Sequence, residues 1–157
     1  MKTRHTMSTL TNLSAPPAVL RRFAALTRGR LSVVSASLHL EHTSTEAFLE
    51  RLEVLRDAAA PSTRIVVNCV LAPHLLEQVA LAQERVVAKG FSFFPQLMKL
   101  KGGVFAYDAE QLARVRGIVG DFGLATATRS ANLAPAYTGK RCYVGARYLV
   151  LTKDGEA

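Results

Sequence analysis

One unit recurs along this sequence and limits what it can fold into: an apolar run, a polar tip, then an amphipathic helix. Leu31–Leu38 (LSVVSASL) reads as a buried strand. It leads into a polar tip, so that Ser35, Ser37, His39, Glu41 and His42 cluster in one short stretch. Ser35 and Ser37 alternate with Val34, Ala36 and Leu38, which puts both hydroxyls on one side of a sheet. Arg64–Leu71 (RIVVNCVL) is a β-branched run broken only by Asn68. So continuous a run suits a strand covered on both faces, as in a parallel sheet. Met7–Leu13 and Phe91–Gln96 (FSFFPQ) read as further strands.

The segments between these runs carry helix signals. Ser14 before Pro16-Pro17 reads as a cap with first-turn prolines, and Gly29 as the stop. Thr43-Ser44-Thr45-Glu46 has the form of a capping box. Phe48, Leu49, Leu52 and Leu55 then form an apolar stripe that ends before Pro61. Pro73 opens a third helix, running to Lys89 and stopped by Gly90. Residues 97–107 read as a surface loop, with Lys99, Lys101, Gly102 and Gly103 only weakly like an anion-binding loop. Asp108 caps a fourth helix, with Leu112, Val115 and Val119 on its inner face. Residues 123–140 are loop-like, and Arg147–Thr152 with Lys153-Asp154-Gly155 reads as a strand and a turn. Strand–helix alternation four times over predicts an α/β fold with a parallel sheet and right-handed crossovers.

Ligands in such folds sit at the carboxyl ends of the strands. Here those ends carry Asn12 and Ser14, then Ser35, Ser37 and His39, then Asn68, then Gln96. All are neutral or weakly basic hydrogen-bonding groups. No carboxylate pair, Ser-His-Asp order or glycine-rich phosphate loop accompanies them. They suit holding a polar small molecule better than supplying a nucleophile. An amide within VVNCVL needs partners if buried, so a structural and a ligand role are both open for Asn68. His39, Glu41 and His42 are a ligand set for a divalent transition metal, which keeps a metal-dependent hydrolase as an alternative. Their spacing differs from the helical metalloprotease motif, whose histidines lie four apart.

The formal charge of +8 is uneven. Lys2, Arg4, Arg21, Arg22, Arg28 and Arg30 occur before the first acid, Glu41, and Lys140, Arg141, Arg147 and Lys153 form a second basic group. These residues show no aromatic interleaving and no run of five, which argues against a nucleic-acid partner and for a solvated surface. The two cysteines, Cys69 and Cys142, make neither a disulfide framework nor a zinc site. Cys69, inside an apolar run, is expected to be a buried small hydrophobe. With no apolar leader and no apolar run near ~20 residues, a cytoplasmic protein without a membrane span is expected.

Taken in order, STLTNLS, SVVSASLH, IVVNCVLAP and FSFFPQLMK are similar to the later strands of radical S-adenosylmethionine (radical SAM) enzymes, whose barrel is a partial (βα)6. The segment from Gly139 to Gly155, with Cys142 and an Asp-Gly turn, resembles the opening of the SPASM extension. There a cysteine ligates an auxiliary iron–sulfur cluster. The resemblance implies a partial parallel (βα) barrel fragment of about four βα units, with the start of a C-terminal β-hairpin. It divides the chain into a disordered tail (1–8), a barrel part (9–122) and a linker with a truncated SPASM-like segment (123–157). The cofactors it implies are S-adenosylmethionine and a 4Fe-4S cluster. Ser35, Ser37, His39 and Asn68 would lie near the ribose and methionine, Gln96 toward the adenine or a small-molecule or peptide substrate. Cys142 would be one ligand of an auxiliary cluster. The family's CxxxCxxC and its glycine-rich motif are absent. The chain is therefore expected to be a fragment, to hold no cofactor stably and to be inactive alone. The alternative is a binding module beside a companion chain that carries CxxxCxxC, docked through the basic first 40 residues and the edge of the first strand.

Overall fold

A computed structural model describes residues 6–101 and 103–120. Four strands, β1 (Met7–Thr11), β2 (Leu31–Leu38), β3 (Arg64–Leu71) and β4 (Ser92–Leu97), form one sheet in the order β1-β2-β3-β4. All three pairings are parallel. The connections are α1 (Pro17–Leu26), α2 (Thr45–Ala58) and a 3-10 turn, Pro73–Leu75, leading into α3 (Leu76–Ala88). After β4 come two two-residue antiparallel strands, β5 (Lys99–Leu100) and β6 (Gly103–Val104), and then α4 (Ala109–Val119). The α/β class, the parallel sheet and the four βα units agree with the sequence reading.

The layers follow from strand order. When each strand pairs with the next through crossovers of one hand, the helices fall on one face. The buried residues show this. Val34, Ala36 and Leu38 of β2 and Ile65, Val67, Cys69 and Leu71 of β3 share one core cluster with helix residues. The helices contribute Leu20, Ala24, Phe48, Leu52, Leu55, Val79, Val86 and Val115 among others. The opposite face carries Leu10, Val33, Ser35, Ser37, Val66, Asn68, Val70, Phe94 and Gln96, as the register of the ladder requires. No described helix covers it. Of RIVVNCVL, expected to be covered on both faces, Ile65, Val67, Cys69 and Leu71 are buried on the helix side, while on the other side Asn68 is buried, Val66 half-buried and Val70 exposed among the described residues.

Several local expectations shift. β1 begins at Met7, inside the segment read as a disordered tail, because the Met7 N–H donates to Arg30 O (2.7 Å) and Ser32 Oγ donates to Met7 O (2.9 Å). The residue before α1 is Pro16, with no side-chain cap, so Ser14 does not cap this helix. Instead the Ser14 N–H donates to Asn12 Oδ1 (3.0 Å). The α2 cap is Ser44, whose Oγ accepts the Ala47 N–H, one residue later than Thr43. With the cap at Ser44 the third helical residue is Ala47, so Glu46 cannot close a box, and its carboxylate pairs with Arg85. The full capping box is at α4, between Asp108 and Gln111. On α4 the buried side chains are Val115, Ile118 and Val119, with Leu112 only half-buried. The segment read as a loop contains the β5–β6 hairpin, closed by the Phe105 N–H donating to Met98 O (2.9 Å). Among the described residues no helix is long and apolar enough to cross a membrane. Lys2, Arg4, Gly102, Cys142, Lys140, Arg141 and the strand and turn expected between Arg147 and Gly155 lie outside the described residues.

Candidate functional site on the uncovered sheet face

In a parallel sheet every strand ends on the same side, so Thr11, Leu38, Leu71 and Leu97 mark one rim. Below that rim, on the uncovered face, three of the expected site residues are joined. Asn68 Nδ2 donates to Ser35 Oγ (2.5 Å), and Gln96 Nε2 donates to Asn68 Oδ1 (3.5 Å). The register explains the geometry. Ser35 is level with Val66, Asn68 is level with Ser37 and Phe94, and Gln96 is level with Val70. The three polar groups therefore climb diagonally across β2, β3 and β4, one pleat per strand, toward the rim.

Asn68 is the centre of this ladder and is only 9% exposed. A buried amide carries two donors and one acceptor group, and leaving them unmade costs about 1–3 kcal/mol. Among the described residues Oδ1 and one N–H are used, which leaves one N–H. The Ser35 hydroxyl hydrogen and the Gln96 carbonyl are similarly left. The ladder can thus both accept from and donate to a neutral polar ligand, and it carries no charge and no titrating group. Ser37 sits beside Asn68 in register on the same face. Phe94, the other flank of Asn68, gives the face an aromatic ring that the strand-tip argument missed. Period-two reading of FSFFPQ was the available signal, since it pairs Phe94 with Gln96.

The remaining expected residues lie elsewhere. His39, Glu41 and His42 are exposed in a turn whose backbone is tied by the His42 and Thr43 N–H groups donating to His39 O. Among the described residues no three His, Cys, Asp or Glu side chains gather as a metal group, so the structure does not bring that trio together. Asn12 is spent on its own turn. Next to it Leu13 is fully buried and adopts a left-handed φ of 56°, a conformation that costs a non-glycine residue about 1 kcal/mol. The Thr11 hydroxyl accepts its N–H (3.0 Å) and the Arg51 guanidinium donates to its carbonyl (3.2 Å). Cys69 points to the helix side, 3% exposed. Burial, aided by the Glu41 charge, pushes its thiol up to about 12. It is a core side chain, as its apolar setting implied.

Tyr107 is a rim residue that the sequence did not reveal. Its hydroxyl donates to Leu71 O (2.7 Å) and accepts the Met98 N–H (2.9 Å), so it clasps the ends of β3 and β4. Burial raises its phenol pKa, with the Met98 N–H acting the other way. Nothing in a loop-like stretch marks one tyrosine for that role. Two depressions of about 240 and 250 Å³ lie apart from the ladder, between α3 and α4. They are bordered by Arg114 and its ion pairs with Glu77 (2.6 Å) and Glu110 (3.0 Å). The Arg114–Glu77 pair is an exposed contact between α4 and α3, and the chemistry of the site stays on the sheet.

Searches of family models, of curated proteins and of solved structures find no match to this chain.

Proposed function

We propose that this chain is a four-unit section of a partial (βα) barrel resembling that of radical SAM proteins. In this reading the uncovered face is the ligand side and S-adenosylmethionine is the ligand. Ser35, Asn68 and Gln96 hold its hydroxyl, carboxylate or base edges, with Ser37 and His39 nearer the rim. One observation supports this above the others: a hydrogen-bonded polar ladder spans three strands on the only face of the sheet that the described helices leave bare. Consecutive parallel neighbours with helices on one side are also what a barrel wall requires.

The donor set suits the cofactor and does not suit the cluster. A four-iron cluster takes cysteine thiolates. Cys69 is buried on the wrong face with its thiol held protonated, Cys142 lies outside the described residues, and the sequence contains no CxxxCxxC. In the family that this chain resembles, S-adenosylmethionine bound to a reduced cluster supplies a carbon radical that removes a substrate hydrogen. This chain's part is to bind and orient, and the cluster ligands come from another chain or segment, facing a small-molecule or peptide substrate.

Titration calorimetry of the full chain with S-adenosylmethionine tests the reading. Asn68→Leu, with an unchanged circular dichroism spectrum, is expected to weaken binding about tenfold, the value of one hydrogen bond of about 1.4 kcal/mol. Binding by this chain alone is expected to be weak, and equal affinities of the two proteins, or no heat from either at millimolar cofactor, sink the cofactor assignment. Anaerobic addition of iron and sulfide is expected to give no cofactor cleavage; a stable four-iron signal with cleavage overturns the claim that the cluster lies elsewhere.

A further inference from the structure

The two edges of the sheet are not alike. β4 carries Pro95, which has no N–H to offer a further strand. Proline is one of the means by which edges are blunted against unwanted pairing. β1, MSTLT, carries neither proline nor charge. Its ladder is irregular only at its first step, between Met7 and Ser8. Among the described residues its one strand neighbour is β2. Leu10, its fourth residue, is 74% exposed.

The surroundings of that edge are basic. No acid precedes Glu41 in the sequence. Arg21, Arg22 and Arg28 are exposed. The Arg28–Arg30 turn is tied to the start of β1 through the Met7 N–H bond to Arg30 O. Among the described residues, an open row of backbone donors and acceptors in an arginine-rich, acid-free stretch of the sequence selects for a strand with the opposite charge at its flanks.

We propose that the β1 edge receives an extended, uncharged strand of another protein, flanked by acidic residues. Backbone hydrogen bonds supply the affinity, Leu10 gives one apolar contact, and carboxylates on either side pair with the arginines. A second copy fits less well, because two such edges would bring two acid-free basic surfaces together. The inference rests on the sheet edge and its charge, independently of the cofactor reading, so either can fail alone.

The test uses the full 157-residue chain and two fluorescein-labelled peptides. Both carry the same short Thr/Val strand; one has glutamates at its ends and the other lysines. Anisotropy at low salt is expected to show the acidic peptide binding at least about tenfold more tightly, with the advantage falling as salt rises. Leu10→Glu and Arg28→Glu, both at exposed positions, are each expected to weaken it by about three- to tenfold without altering the circular dichroism spectrum. Equal binding of the two peptides overturns the proposal. So does no binding of either. A dimer seen by light scattering and abolished by Leu10→Glu assigns the edge to a second copy and overturns it too.

Discussion

Along β3 alternate side chains meet two different environments. Ile65, Val67, Cys69 and Leu71 face the helices at 9%, 0%, 3% and 0% exposure, while Val70, pointing the other way, is 41% exposed. The two sets share β-branched and aliphatic residues, and the second adds Arg64 and Asn68. The neighbours differ too. The helix-side set is pressed against Phe48, Leu52, Leu55 and Val79 in one cluster, and burial there is what holds the fold. The other set lies beside a polar ladder that a two-sided core would have excluded, because its spare donors and acceptors would go unmet. The bare face is thus the part of the sheet that can afford polar groups with bonds to spare.

The largest expected effect lies on the helix side. Phe48→Ala removes a ring that is 1% exposed at the heart of the cluster. Urea unfolding is expected to show a loss of about 3–5 kcal/mol. A loss below about 1 kcal/mol would break the comparison, since the helices would then not be covering a core.

Next comes the pH response of the same face. Cys69 in the folded chain stays protonated up to about 12, against an ordinary thiol value of 9.0. Above pH 9 the unfolded chain loses that proton and the folded chain keeps it, so the unfolded state binds fewer protons and stability falls as pH rises. The expected slope is about 1.4 kcal/mol per pH unit between pH 9 and the folded value. Tyr107, also shifted upward by burial, adds to the fall at the alkaline end. Cys69→Ala should remove the first part of the slope. A variant with an unchanged slope would mean that the thiol is not held in a dry environment.

How much of this was legible beforehand depends on what each residue needed to know. Leu31–Leu38 and Arg64–Leu71 were readable as strands with their final bounds, because a β-branched run between helix signals decides its own period. Ser35, Asn68 and Gln96 were readable as polar groups near strand ends. That they bond to one another was not, since register between strands is a tertiary fact. Which face the described helices take was not legible for the same reason, since strand order, not the run RIVVNCVL itself, decides where the helices go. The box on α2 failed by one residue. Glu46 would close a box on α2 only from a cap at Thr43; the cap falls at Ser44, and Glu46 pairs with Arg85, far along the chain. Asp108 and Gln111 on α4 close theirs with each other, and there the local signal held. Tyr107 depends wholly on carbonyl and amide groups of other strands, so no local pattern could announce it.

The smallest effect is also the sharpest test of the two faces, because it compares one chemical change at two neighbouring sites. Val→Thr keeps shape and adds a hydroxyl. At Val67, fully buried against the helices, that hydroxyl finds no water, and the expected cost is about 1–3 kcal/mol. At Val70, three residues along the same strand and 41% exposed, water can meet it, and the expected change is within about 0.5 kcal/mol. Chemical denaturation of the two variants measures both. If the Val70 variant costs as much as the Val67 variant, the second face is dry in the intact chain. The ladder of Ser35, Asn68 and Gln96 would then be a buried structural network whose spare donors are met by protein, and a ligand would have no room on it. If only the Val67 variant is costly, the face is open to solvent, and its polar groups are available to whatever the chain binds.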